Sequence, residues 1–425
     1  MLRRCLPYTS RSESLEVYIM LRSERVSGLV VPFFLLGWLI GCSGSTTPAM
    51  QDPSLPILAG GVGDQTATDV AGDGSAIYVS GPGVLAKFDP NAEAVEWVQT
   101  GDVDFYGVAV GPGNVFVAGR APAGRSSSPG PCGTIDDVGD IEPKVVAGVY
   151  DIFGSLVGCE SRVLYPYSGF ENYWGATSAS GKFFAGGHAQ QAGNADGFPF
   201  VITRYDATGA FEVATTEPEL EVGTPTGCCT GESIVRGLGE AGGDVLAAGA
   251  SRLPGSGEDD VLRPMVMRYT SDLVRVWKGR SSDRVGRFLD AAEVDGAVYA
   301  VGETEGTGVF LIEKYDAAGT RLWSVESSSP GVLRGVVGLG GRVFGIGRGD
   351  GSSLGGSDAM VVEFDPDNGS TLSTTYLGGA EDDAAVGAVV IANELWIAGT
   401  TRSYATDDGN AVGEADIAIW RVTPN

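Results

Sequence analysis

Four cysteines, one histidine and several acidic runs are the side chains of this sequence whose types could do chemistry. Cys132, Cys159, Cys228 and Cys229 form an even set, which suits disulfides in an oxidising compartment. Cys132 and Cys159 flank one strand and are paired on that ground. Cys228 and Cys229 form either a vicinal bridge or two halves of bridges elsewhere. No Cys-x-x-Cys occurs, so a structural metal site has little to build on. His188 is the sole histidine, which leaves scant material for a Ser-His-Asp or Cys-His arrangement; it follows a strand and reads as a surface loop residue. The acidic runs Asp136-Asp137, Glu258-Asp259-Asp260, Glu381-Asp382-Asp383 and Asp407-Asp408 offer oxygens for Ca²⁺, which takes six to eight of them. None has the alternating spacing of a calcium loop, so they read as solvated surface. No catalytic, cofactor-binding or metal-ligating residue is assigned, and Ca²⁺ stays the one cofactor worth testing.

The elements that must carry these residues follow from composition. A hydrophobic fraction of 43% in 425 residues is ample for a packed core, while 66 glycines disfavour long helices, since each interior Gly costs about 1 kcal/mol against Ala. Short strands and tight turns are expected. A formal charge of −26 repels phosphate backbones, which argues against nucleic acid as a partner.

One strand-like unit closed by Gly recurs: Ile77-Tyr78-Val79-Ser80-Gly81, then Val115–Gly119, Phe183–Gly187, Val245–Gly249, Val298–Gly302, Val343–Gly347 and Leu395–Gly399. Apolar residues on both faces mark a strand enclosed within a β structure. Unequal spacing argues against a solenoid. A second strand follows each copy and ends in a turn, as at Asp206–Gly209 and Asp316–Gly319, where Asp can bond backbone N–H groups and Gly supplies positive φ. An outer strand comes next, clearest at Val95–Trp97, Val274–Trp277 and Thr320–Trp323. Before the pentapeptides lie strands rich in small residues, such as Tyr106–Val110, Trp174–Thr177, Leu289–Ala292, Arg334–Val337 and Val386–Val390. Four strands per repeat, the first small, predict an all-β, seven-bladed β-propeller of antiparallel blades rather than a β-sandwich, because bulky side chains crowd an axis. The chain ends one strand short. The segment near Ser54–Ala59 is therefore expected to close the last blade from the N-terminal side.

Residues 28–41 form an apolar stretch after Arg22 and Arg25, too short for a comfortable membrane span. Leu39-Ile40-Gly41-Cys42 resembles the bacterial lipobox, which implies a signal peptide over 1–41 (with Met20 as the natural start) and lipidation of Cys42. Residues 42–54 then read as a flexible tether and 55–425 as one propeller. Ser43 after the Cys implies outer-membrane sorting, on its periplasmic or surface face.

Residues 356–401 resemble the bacterial SBBP (seven-bladed β-propeller) repeat. The marks are Asp358-Ala359, Phe364-Asp365, Tyr376-Leu377-Gly378-Gly379 with Asp383 after three residues, and Trp396–Thr400. The resemblance implies a secreted or surface-attached bacterial protein and no particular chemistry. Length variation concentrates in the loops between second and third strands, which in a propeller share one end with the inter-blade loops. Loops on a rigid scaffold are where binding resides. The expected protein is thus a non-enzymatic, monomeric, lipid-anchored propeller that binds a protein or glycan partner or acts as an envelope scaffold. Its rivals are a quinoprotein-like enzyme, faintly echoed at 315–323, a carboxylate-dependent hydrolase or lyase, and an outer-membrane assembly lipoprotein.

Overall fold

The computed structural model describes residues 56–59, 64–121, 144–162, 171–189, 200–216, 233–252, 261–351, 354–404 and 415–424. The chain divides into two units, Met1–Ala49 and Met50–Asn425, and every described residue lies in the second. The described residues form no helix.

After β1 (Ile57–Ala59), one sheet takes β2 (Asp69–Gly72), β3 (Ile77–Asp89), β4 (Ala94–Gly111), β5 (Asn114–Ala121), β6 (Lys144–Asp151) and β7 (Leu156–Arg162) in order. A second holds β8 (Glu171–Ala179), β9 (Lys182–Ala189), β10 (Phe200–Tyr205) and β11 (Phe211–Thr216). The third holds β12 (Ser233–Ala241), β13 (Asp244–Arg252), β14 (Leu262–Tyr269) and β15 (Arg275–Arg280). A fourth runs through β16 (Gly286–Val294), β17 (Ala297–Thr304), β18 (Val309–Tyr315), β19 (Arg321–Leu339), β20 (Arg342–Gly349), β21 (Asp358–Phe364) and β22 (Thr371–Leu377). The last takes β23 (Asp383–Ile391), β24 (Glu394–Thr401) and β25 (Asp416–Val422). β1 joins that last sheet antiparallel to β25, with Ile57 opposite Ile419 and Ala59 opposite Ile417. The N-terminal strand thus covers the edge that the sequence leaves open.

Each pentapeptide alternates between two cores. Val115 and Val117 pack with Tyr78, Leu85 and Phe105; Phe116 and Ala118 pack with Tyr173, Phe183 and Ala185. Both faces are buried because each sheet has a neighbour on either side. Burial of such a side chain stabilises by about 1.5–3 kcal/mol. The expected turns form: the Asp206 carboxylate accepts the N–H groups of Thr208 and Ala210, and that of Asp316 those of Ala318 and Thr320. Outer-strand tryptophans hold the neighbouring turns, as Trp97 Nε1 donates to the Ile152 carbonyl and Trp323 Nε1 to that of Pro366.

The Gly that closes the pentapeptide has a steric cause. A Cβ there would lie 1.7–2.1 Å from a carbonyl oxygen of the preceding strand, or of the segment leading into it, in every copy: Thr66 for Gly81, Asp104 for Gly119, Asn172 for Gly187, Ile234 for Gly249, Arg287 for Gly302, Val332 for Gly347 and Ala384 for Gly399. The strand approaches this closely because it bulges at that point. Its register slips past Tyr106, Trp174, Arg236, Leu289, Arg334 and Val386, each one residue beyond the partner of the Gly. A β-bulge re-aims the extra side chain out of the ladder.

Candidate functional site: one end of the axial channel

The strands that bulge are the innermost ones, and they converge on a cavity of about 290 Å³. Thr68, Trp174, Arg236, Leu289, Arg334 and Val386 line it at one end, while Gly72, Ser178 and Glu240 line it at the other. Sequence reasoning held large side chains to be excluded from the axis. The bulges reverse that expectation, because they turn these residues into the channel mouth, where there is room. A signal existed: each bulge residue stands at one constant distance before the closing Gly, as 106 before 119, 174 before 187 and 334 before 347.

The residue after the bulge sets how neighbouring inner strands meet. In five strands it is Gly, and a Cβ would strike the next strand: Gly107 at 2.5 Å from Ala176 N, Gly175 at 2.9 Å from Leu238 N, and Gly237 at 2.2 Å from the Leu289 carbonyl oxygen. Gly335 would sit 2.8 Å from Gly387 Cα, and Gly387 2.8 Å from Val70 Cγ1. In the other two it is Asp, and the carboxylate spans the junction. Asp69 accepts the N–H of Val108 (2.9 Å) and of its own neighbour Val70 (2.8 Å), and Asp290 accepts the N–H of Val336 (2.9 Å). Burial pushes the Asp69 carboxyl up to about 8 and that of Asp290 to about 6, against an ordinary 3.8. The backbone bonds oppose both rises, and the charge of Asp290 adds to the one at Asp69. Neither residue is fully occluded, but the carboxyl groups are enclosed enough for desolvation to dominate both shifts.

Along one arc of the mouth, aromatic and cationic groups are stacked. Tyr106 and Trp174 have ring centroids 4.9 Å apart. The Arg236 guanidinium lies 4.4 Å from the Trp174 centroid, and that of Arg120 5.7 Å from Tyr106, within cation–π range. Trp174 Nε1 donates to His188 Nδ1 at 3.1 Å. His188 is therefore not in a surface loop: it sits half-buried on β9, opposite Phe200. Burial, with the Arg236 charge beside it, drives its pKa down to about 4, so the ring is neutral near pH 7. The opposite arc holds Arg334, which hydrogen-bonds to no described residue and has like-charged Arg348 and Arg287 as neighbours, with Glu303 the one opposing charge among the causes of its lowered pKa.

Comparisons with known proteins bear on the fold. No protein-family model matches the sequence, and no curated protein matches it. Among solved structures, the WD40 β-propeller domain of Doa1 matches with 12% identity and a TM-score of 0.49, covering 86% of this chain and 95% of that one. The WD40 repeats of RRP9 match with 8% identity and a TM-score of 0.53, covering 85% and 96%. The fold is a β-propeller. At such identities the likeness speaks for the fold alone, and for Doa1 the score carries no argument.

Most residues singled out from sequence lie outside those described. That holds for Cys42, Cys132, Cys228 and Cys229, for Asp136-Asp137, Glu258–Asp260 and Asp407-Asp408, and for most of the long loops between second and third strands. Cys159 lies on β7, opposite Gly148. The run Glu381–Asp383 is not uniformly solvated surface. Asp383 is buried, and its carboxylate accepts the Gly379 N–H (2.9 Å), the Ser403 hydroxyl (2.7 Å) and the Thr401 hydroxyl; Asp382 accepts the Ser357 N–H. The Leu-Gly-Gly-x-x-x-Asp pattern is thus a turn lock. Gly378, at φ +146°, leaves room for the Asp383 and Asp358 carboxylates, which a Cβ would meet at 2.4 and 2.7 Å. Among the described residues no group of three or more His, Cys, Asp or Glu is placed to hold a metal.

Proposed function

We propose that this is a non-enzymatic, lipid-anchored, seven-bladed propeller of the bacterial envelope, whose loop face binds a protein or glycan partner. The observation that carries the reading is the channel mouth. Bulges on separate strands present Trp174 and Arg236 side by side and Arg334 across the mouth from them, although the fold itself asks only for a small residue after each of them. Rigidly placed aromatic and Arg side chains are the usual anchors of a binding surface. The blade count rests on the channel-lining strands β2, β4, β8, β12, β16, β19 and β23, taking each as the inner strand of one blade. On this count β4 and β19 each run from the outer strand of one blade into the inner strand of the next, and β1 completes the last blade. SBBP-type repeats, cleavage before Cys42, its lipidation and the outer-membrane address belong to the same reading and rest on the sequence. So does the Cys132–Cys159 bridge, with Cys159 on β7 and Cys132 taken as its partner.

Two measurements test this. Cys42→Ser should move the protein from the membrane fraction to the soluble one. Cross-linking in envelope preparations should yield a discrete adduct with the wild type and lose it in the Trp174→Ala, Arg236→Ala double variant. An unchanged adduct in a variant that folds normally would remove the mouth from the binding surface. A carboxylate-dependent enzyme is the second reading, favoured by the two channel carboxyls with raised pKa values. Both already serve as acceptors for backbone N–H groups, so they read first as structural.

A further inference from the structure

We infer that the Arg334 side of the channel mouth is a binding site for a small carboxylate ligand. Arg334, exposed at the channel mouth, projects from a bulge and makes no ion pair or hydrogen bond with any described residue, and the same holds for the exposed Arg348 on β20. Two like charges, Arg348 and Arg287, and one opposing charge, Glu303, act on Arg334. Arg287 pairs directly with Glu303, whereas Glu303 reaches Arg334, and Asp382 reaches Arg348, only through space. Desolvation of its head group and the charges of Arg348 and Arg287 lower the Arg334 pKa against the pull of Glu303, and a bound anion would counter them. An oxyanion bound there gains charge-assisted hydrogen bonds and relieves that repulsion together.

The rest of the mouth limits what fits. Leu289 and Val386, bulge residues of the flanking inner strands, give apolar walls on either side of Arg334, and Arg236 supplies a second cation beyond Leu289. A cavity of about 290 Å³ sits at the lower bound of ordinary small-molecule sites. Planar carboxylates match the guanidinium fork in two parallel bonds, as phosphate also does; the single charge of a carboxylate is what favours it here over phosphate. Asp290, ionised near pH 7, lies deeper in the same channel, so further negative charge pointing inward is disfavoured. The ligand is thus a compact organic acid, free or presented as the acidic side chain of a larger partner.

Titration calorimetry of the full chain at low salt tests the site with D-glucuronate, inorganic phosphate, D-glucose and a capped acidic hexapeptide. Glucuronate should bind saturably and at least tenfold more tightly than phosphate, and glucose should not bind. Peptide binding at or above the strength of glucuronate assigns the carboxylate to a larger partner; weaker peptide binding assigns it to a free acid. Arg334→Leu should lower glucuronate affinity tenfold or more without lowering the melting temperature, and Arg334→Lys should keep the charge yet weaken binding severalfold. Equal binding of glucose and glucuronate, no saturable carboxylate binding by the wild type, or unchanged affinity in folded Arg334→Leu would each overturn the inference. The readout needs no macromolecular partner, so failure to cross-link one in the envelope leaves this result standing.

Discussion

Around the channel, five junctions between inner strands carry Gly after the bulge and two carry Asp, and the two kinds achieve cohesion differently. At the glycine junctions backbone presses on backbone, and the contact tolerates no Cβ: at Gly237 it would lie 2.2 Å from the Leu289 oxygen. At Asp69 and Asp290 a side chain spans the junction and bonds the next strand's N–H. The glycine junction is thus insensitive to pH and intolerant of substitution. The aspartate junction has room for a side chain, at the cost of placing a carboxyl where its charge is poorly solvated. Packing and solvation exchange roles at equivalent positions of one repeat.

The largest effect that could break this contrast is steric. Gly237→Ala should destabilise the fold by about 3 kcal/mol or more, because backbone on both sides must move; denaturant unfolding showing a loss below about 1 kcal/mol would end the distinction. Asp290→Ala should cost less, about 1–2 kcal/mol, the penalty of leaving the Val336 N–H to channel water. Third is a pH effect whose sign separates the classes. The folded Asp69 pKa of about 8 lies above its ordinary 3.8, so between about pH 4 and 8 the unfolded chain releases a proton that the folded chain keeps. Stability therefore falls as pH rises through that window. Asp69→Asn should flatten the fall, its melting temperature gaining on the wild type towards pH 8 and converging with it near pH 4, whereas glycine-junction variants should run parallel to the wild type. Smallest is the Tyr106–Trp174 contact across a glycine junction, for which a double-mutant cycle should return about 0.5–1.5 kcal/mol.

Much of the fold was legible because its causes are local. The pentapeptide glycines, the turn aspartates at 206 and 316, and the outer-strand tryptophans each answer to a neighbour within the repeat or to the turn beside it. The candidate site was far less legible. Tyr106, Trp174, Leu289, Arg334 and Val386 each open a strand that the sequence marks as small, but pattern alone treats them as strand starts; only a register slip against the next strand makes them a mouth. His188 and Asp383 mislead for a related reason. Polar residues beside Gly read as loop and surface, and it takes Trp174 in one case, Thr401 and Ser403 in the other, to bury them as partnered groups.

What the sequence alone determined about this protein is the β class, the repeat, and where Gly is compulsory, since those follow from periodicity and from steric limits repeated along the chain. Tertiary structure decided which side chains meet at the axis and which carboxyls lose their water. Bulge direction, inter-strand distance and solvation depend on strands far apart in the chain, and no local run of residues encodes them.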